Sequence, residues 1–340
     1  MRYKELDALR GLAALLVAFF HLTIFREDKL FKLGTTGVDL FFMISGFVIL
    51  LSLKHVNSSL EFVVNRVSRL YPTYWACVTF TFLLMIINAI VFSNWTQVSV
   101  LQYLGNMTMF QFYLRIKDLD GPYWTMVIEM IFYVMMLFLF RFNLLKFLKQ
   151  IGVVLMILWV LMNIMYGDNI WIIRIMWWIP FFQFMPLFLA GTVFYEIAST
   201  NTNNHLKEYG ILIFCMISQI ILFDYGGRSM CFIEQDEYAV VLLIYFVLFT
   251  LFVNGKLKFI VSPVTLFLGE ISYVFYLIHQ KIALEFIIPF LTNKVHMNYW
   301  VASMIALFII IILAALITYK IGLVYSEKMK KKLYSVFNKP

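Results

Sequence analysis

The sequence predicts an all-α integral membrane protein with about ten transmembrane helices and both termini in the cytoplasm. Of its 340 residues, 63% are hydrophobic and only 14% are charged, whereas soluble domains are about half apolar and a quarter charged. The mean hydropathy of +0.87 agrees with this. A water-soluble core could not bury so much apolar side chain. The composition therefore excludes soluble, disordered and fibrous proteins.

Ten stretches are apolar enough to form spanning helices, which need about 20 residues each. In chain order they are Leu9–Phe25, Gly37–Leu53, Pro72–Phe92, Tyr123–Phe142, Ile151–Tyr166, Trp177–Ile197, Tyr209–Phe223, Tyr238–Val253, Val264–Phe290 and Tyr299–Tyr319. The first follows a basic start, but no small-residue cleavage site comes after it. We therefore interpret it as an uncleaved span rather than a signal peptide.

The distribution of charge supports this orientation. With both termini in the cytoplasm, 18 of the 27 Lys and Arg residues fall on the cytoplasmic side, as the positive-inside rule requires. The net charge of +8 is thus an orientation signal and not a sign of a nucleic-acid partner. The three cysteines show no metal-ligand or disulfide spacing.

Two cytoplasmic segments differ from simple turns. Ser58–Leu70 has the pattern of an amphipathic helix, and Pro72 is expected to fix the start of the third span. Tyr325–Tyr334 is basic and could lie on the anionic inner leaflet. The expected organisation is a transmembrane domain over residues 1–320 and a basic cytoplasmic tail over residues 321–340.

Ionisable groups within the first two spans are candidates for function, because charge inside a span is costly. Arg10 and His21 are eleven residues apart, so an α-helix turns through about 1100° and rises about 16 Å between them. Both side chains then share one face. His21 could act as a general base or lie at the interface, with Arg10 as a membrane anchor. Asp39 could balance the charge of His21 or be a solvated span end, and Ser45 and Gly46 allow close helix approach.

Three further polar groups follow along the chain. Arg66 and Arg69, three residues apart, share a helical face that suits a phosphate-bearing ligand or lipid headgroups. Glu129 lies about 9 Å into an apolar helix with no basic neighbour on that helix. It must meet a partner from another helix, stay protonated or line a cavity, and we interpret it as functional.

A polar stripe runs along the ninth span. Ser272, Tyr276 and His279 follow helical spacing and are predicted to point inward. Tyrosines also mark membrane interfaces, so each of these residues alone has a structural explanation.

In this order, the motifs closely resemble the acyltransferase-3 family of membrane acyltransferases. They are Arg-x10-His, GVDLFFMISGF, RVSRLYP, YWTMVIEMIFY, LGEISYVFYLIH and the closing YSEK, and they cover nearly the whole chain. Thr125 and Met126 stand where a Ser-Leu pair is usual, and we expect no loss of activity from this.

The resemblance implies acyl transfer, usually of acetyl, from cytoplasmic acyl-coenzyme A to an acceptor at the far face. It implies His21 as the catalytic histidine, Glu129 as an essential carboxylate, and Arg10, Arg66 and Arg69 as donor-binding residues. We add Asp39 as a second carboxylate that could act with His21. Four residues are expected to line the substrate pathway: Ser45, Tyr273, Tyr276 and His279.

The expected activity is O-acetylation of a surface or lipid-linked polysaccharide at a bacterial inner membrane, with acetyl-CoA as donor and no metal. The chain ends soon after the tenth span, so no appended SGNH hydrolase-like domain is expected. Two alternatives stay open: a glycan exporter without thioester chemistry, and a non-catalytic scaffold. The acceptor sugar, the hydroxyl position, the acyl chain, a covalent acyl relay and the oligomeric state also stay open.

Overall fold

The computed structural model describes residues 2–24, 26, 30–92, 98–167, 169–200, 204–226 and 229–337, and all regular structure within them is helical. The α-helices are α1 Lys4–Thr23, α2 Gly37–Leu53, α3 Ser59–Phe92, α4 Val100–Asn106, α5 Trp124–Arg141, α6 Leu148–Tyr166, α7 Ile170–Trp178, α8 Met185–Ser199, α9 Leu206–Leu222, α10 Gln235–Val253, α11 Pro263–Lys281, α12 Ile288–Asn293, α13 Tyr299–Ile317 and α14 Leu323–Phe337. The π-helical turns Ile282–Ile287 and Thr318–Gly322 follow α11 and α13. The all-α membrane class is therefore confirmed.

Within the described residues, nine helical stretches are long and apolar enough to cross a membrane, and they coincide with nine of the ten predicted spans. The sixth predicted span differs, because it consists of the end of α7, a 3-10 turn at Pro180–Gln183 and the 15-residue α8. Pro180 disfavours helical backbone at the residue before it, and Ile179 has φ −131° and ψ 72°. Phe25, the predicted end of the first span, lies outside the described residues. The orientation of the termini stays a prediction.

The predicted amphipathic helix and the third span form one continuous helix of 34 residues, α3. The prediction that Pro72 starts a new helix is wrong, because Pro72 lies inside α3. An interior proline costs about 3 kcal/mol through a lost hydrogen bond and a steric clash. Packing on both sides of it offsets this cost: Phe62 and Tyr74 have at most 1% of their surface exposed.

The chain forms two compact units, and each is described by itself. Unit 1 comprises residues 1–59 and 128–269, and unit 2 comprises residues 60–127 and 270–340. The predicted division into a domain and a tail at residue 320 is a different kind of boundary and stays a prediction. Helices α5 and α11 each contribute residues to both units.

The centre of unit 1 is the close contact between α2 and α8. A Cβ atom on Gly46 would collide with the carbonyl oxygen of Phe188, and one on Gly191 would lie 2.9 Å from the backbone nitrogen of Phe47. Only glycine permits this approach of two backbones. One turn of α2 is thereby fixed against α8, and this turn carries Ser45.

In unit 2, residues 98–120 run back alongside α3, and we call them the returning segment. Tyr103 stacks on Phe82 at a centroid distance of 4.6 Å. Further along the chain, the indole of Trp75 donates to the carbonyl of Met107 at 2.8 Å, and the hydroxyl of Tyr71 donates to the carbonyl of Thr108 at 3.0 Å. The partners on α3 move backwards by eleven residues, or about 16 Å. The sequence did not predict this path.

Side-chain amides satisfy the backbone of the returning segment. The Asn106 amide donates to the carbonyls of Gln102 and Lys117, and its oxygen accepts the N–H of Leu119. Gln102 donates to the carbonyls of Lys117 and Asp118. Irregular backbone beside an apolar spanning helix needs such internal partners, because lipid supplies none.

Candidate functional site

Helix α1 holds Arg10 and His21 on one unbroken α-helix, which confirms the backbone geometry that the eleven-residue spacing predicts. Arg10 lies 4.0 Å from the carboxylate of Asp7 and keeps about a fifth of its side chain exposed. The adjacent Gly11 packs against α11, where its Cβ position lies 2.7 Å from the backbone nitrogen of Gly269. Two glycines thus set the distance between α1 and α11 beside Arg10.

The imidazole of His21 has a defined tautomer when it is neutral. Its Nδ1 lies 2.9 Å from the carbonyl oxygen of Val17. Because a carbonyl oxygen can only accept, Nδ1 must carry the proton of this bond. The lone pair of the neutral ring is then on Nε2, which is the nitrogen able to take a proton from a substrate.

Two hydrogen bonds fix the carboxyl group of Glu129. Its Oε1 accepts the hydroxyl of Ser45 on α2 at 2.9 Å, and it also accepts the hydroxyl of Tyr133. Glu129 therefore meets a partner from another helix, one of the three outcomes expected for a carboxyl group inside a span. Ser45 was predicted to line a substrate pathway, and the structure places it against this carboxyl group.

Asp39 lies at the start of α2 and is 3% exposed. Its side chain forms a hydrogen bond with the hydroxyl of Tyr238, which also bonds to Gln219. Asp39 is thus buried, and the alternative of a solvated span end is wrong. Its neighbour Thr36 bonds to Tyr245 at 2.8 Å, so α10 holds this end of α2 through two tyrosines.

In unit 2, Arg66 and Arg69 lie in the first third of α3. The guanidinium group of Arg66 stands over the buried ring of Phe62 at 5.8 Å in a cation–π contact. Arg69 is exposed and Arg66 is half-buried. The helical backbone confirms that residues three apart lie on one side of α3.

The predicted polar stripe on α11 is buried within unit 2. Ser272, Tyr276 and His279 are each less than 8% exposed. The Nδ1 atom of His279 lies 2.7 Å from the carbonyl oxygen of Tyr276. Tyr273 donates to the carbonyl of Leu70 at a long 3.5 Å.

Sequence reasoning missed two residues of these networks. Tyr133 stands four residues after Glu129, and this spacing places both side chains on one helix face, so the signal was present. Tyr238 begins a predicted span far along the chain from Asp39, and no local pattern joins the two. Among the residues that the structure describes, no three His, Cys, Asp or Glu side chains form a group that could hold a metal ion.

Ionisable groups held by hydrogen bonds inside helices of spanning length define a membrane-embedded enzyme. The particular class follows from comparison: the chain belongs to the acyltransferase-3 family, whose model, described as an acyltransferase domain, matches residues 3–319. It is therefore a transferase of acyl groups.

One relative agrees with this assignment. A protein of Acidianus two-tailed virus that bears the name "Putative acetyltransferase ORF330" is 26% identical over 289 residues. The match covers 80% of this chain and 80% of the viral protein. No solved structure shows a significant match.

Proposed function

We propose that the protein transfers an acyl group, in particular acetyl, from cytoplasmic acyl-coenzyme A to a sugar hydroxyl of a surface or lipid-linked polysaccharide. The observation that carries this proposal is the hydrogen bond between His21 and Val17. It leaves Nε2 as the basic nitrogen, on the same helix as Arg10 and about 16 Å from it. A donor-binding group and a general base are thus joined by one rigid element.

In the proposed step, Nε2 of His21 takes the proton of the acceptor hydroxyl as the oxygen attacks the thioester carbonyl. The C–S bond then breaks, and the leaving thiolate takes the proton from the imidazolium. The products are the O-acyl sugar and free coenzyme A, so His21 returns to its neutral form. General base catalysis of this kind contributes about 10²–10⁴-fold.

The two carboxyl groups have supporting roles in this proposal. Glu129, held by Ser45 and Tyr133, stabilises the positive charge that develops on the imidazole. Asp39, bonded to Tyr238, supplies a second negative group at the start of α2. Fixed side chains cost no reorganisation during reaction.

The donor binds through its phosphates in this scheme. Coenzyme A carries a pyrophosphate and a 3′-phosphate, which cannot enter lipid and which arginines bind in bidentate fashion. Arg66 and Arg69 stand three residues apart on α3 and suit this role, with Arg10 as a third donor-binding residue. Tyr273, Tyr276 and His279 line the path of the substrate in this proposal.

Three observations support the finer assignments. The printed name of the viral relative mentions acetyl transfer, which favours acetyl as the group. The motif resemblance favours a glycan acceptor and a bacterial inner membrane. The excess of Lys and Arg in the predicted cytoplasmic loops places the donor-binding arginines on the side where acyl-CoA is made.

The decisive experiment follows the release of free coenzyme A by the purified protein with acetyl-CoA and candidate glycans. We expect His21→Ala to abolish glycan-dependent release. His55→Ala is the matched control, because Nδ1 of His55 also bonds to the carbonyl four residues before it, Leu51, at 2.7 Å, on an exposed residue. Full activity in His21→Ala would sink the mechanism, and wild-type protein that never consumes acetyl-CoA would favour an exporter.

The donor site has its own test. We expect Arg66→Ala and Arg69→Ala each to raise KM for acetyl-CoA about tenfold, the effect of losing one hydrogen bond to a charged group. Arg141→Ala, at an exposed arginine in the last turn of α5, is the control. An unchanged KM in both variants rules out the phosphate role.

A further inference from the structure

Four side-chain oxygen atoms inside unit 2 lack a hydrogen-bond partner among the described residues: Tyr74 Oη, Thr81 Oγ1, Asp120 Oδ2 and Tyr123 Oη. Three of these residues have no exposed surface, and Asp120 is 2% exposed. Buried polar groups in native proteins are almost always bonded, to protein or to ordered water. Four unpartnered oxygens in one region therefore indicate an occupant that the protein atoms do not supply.

These oxygens belong to neighbouring side chains. Tyr74 and Thr81 are seven residues apart, two turns of α3, and so share a helix face. The rings of Tyr74 and Tyr123 are 5.2 Å apart. The hydroxyl of Thr81 faces that of Tyr123 without completing a hydrogen bond of regular geometry.

Asp120 is held at the same place by its other carboxyl oxygen. Oδ1 accepts the backbone N–H of Lys281 at 3.1 Å, which leaves Oδ2 for a different partner. The next residue, Gly121, is covered by the amide of Gln280, which would collide with any Cβ there. The backbone beside the cluster is thus fixed by α11.

The chemistry of the four oxygens indicates what they bind. Three are hydroxyls, which donate and accept, and the fourth is a carboxyl oxygen. The two tyrosine rings add apolar faces of the kind on which sugars and other amphipathic groups pack. A small neutral group that both donates and accepts, namely a hydroxyl, satisfies all four.

We propose that Tyr74, Thr81, Asp120 and Tyr123 form a hydroxyl-binding site inside unit 2. Its occupant is ordered water or a hydroxyl of the acceptor sugar, and the second source rests on the proposed function. The returning segment, which lies beside the same part of α3, gives this site polar surroundings at a depth where lipid offers none.

The first test measures thermal stability of the full-length protein in detergent for Tyr74→Phe, Tyr123→Phe and Thr81→Val. Each substitution removes a hydroxyl and keeps nearly the same shape. If the hydroxyls bind an occupant, each variant loses a hydrogen bond and Tm falls by about 2–4 °C. If they are vacant, removing an unsatisfied group leaves Tm unchanged or raises it, which overturns the proposal.

Ser303→Ala is the matched control. Its hydroxyl on α13 is also buried, at 2% exposure, and has no partner among the described residues, but it does not belong to the cluster. We expect its Tm to stay unchanged or to rise. A fall as large as in the tyrosine variants overturns the proposal, because the loss would then not be specific to the cluster.

The second test separates the two occupants by steady-state kinetics with acetyl-CoA and methyl glucoside as the acceptor probe. A raised KM for the glucoside in Tyr123→Phe, at unchanged KM for acetyl-CoA, assigns the site to the acceptor. A lower Tm with both KM values unchanged assigns it to water. Wild-type protein without acyl transfer refutes the proposed function alone, since the stability test does not depend on turnover.

Discussion

Replacing Ser45 with alanine removes the hydrogen bond that joins Glu129 to helix α2. The bond is 2.9 Å long, and Oε1 of Glu129 keeps the hydroxyl of Tyr133 as its other partner. A bond between neutral and charge-assisted strength contributes about 1.5 kcal/mol. Since about 1.4 kcal/mol corresponds to a factor of ten in rate, we expect kcat to fall about tenfold, with little change in KM for acetyl-CoA.

The same change in a Glu129→Gln background tells whether Ser45 acts through Glu129. If it does, the serine has little left to position, and Ser45→Ala then lowers kcat by less than about twofold, since residues in direct contact are not additive. Thr192→Val is the control, because this buried hydroxyl of unit 1 bonds only within α8, to the carbonyl of Leu189.

Two kinetic results would refute this reasoning. Ser45→Ala could cost as much in the Glu129→Gln background as in the wild type. It could also raise KM for the acceptor at constant kcat, which would return Ser45 to the substrate pathway. Either result separates Ser45 from the carboxyl group that it contacts in the structure.

Two further predictions concern helix α2. Gly46→Ala should prevent stable folding or lower Tm by more than 10 °C, because its methyl group would strike the backbone of α8; Gly210→Ala, with nothing within 4 Å on helix α9, should raise Tm slightly, and equal Tm values in the two variants would contradict the packing argument. Tyr238→Phe should lower kcat and Tm together, because the buried carboxyl group of Asp39 loses its hydroxyl partner at a cost of about 1–3 kcal/mol; wild-type rates in this variant would show that Asp39 does not need it.

The sequence predicts the features that depend on helical periodicity and hydropathy. The register of Arg10 and His21 follows from one helix, and nine of ten spans follow from apolar length. The position of Glu129 inside a span required a partner, and the structure supplies Ser45 from another helix. These predictions need only local geometry and the cost of burying a polar group.

Features that depend on contacts distant in the chain are not predictable from such patterns. Pro72 signals a helix boundary locally, yet packing around Phe62 and Tyr74 keeps α3 continuous. The path of the returning segment depends on bonds to side chains of α3 that precede it by about thirty residues. The pairing of Asp39 with Tyr238 joins two spans far apart in sequence, and no periodicity encodes it.

The continuity of α3 has a mechanical consequence. Arg66 and Thr81 stand on one rod, about 22 Å apart along its axis, so α3 cannot move at one end without displacing the other. A ligand seated on the arginines would therefore act as a distant clamp on the returning segment. Amide hydrogen exchange of residues 98–120 would then slow when acetyl-CoA is added, which makes this segment a reporter of donor occupancy.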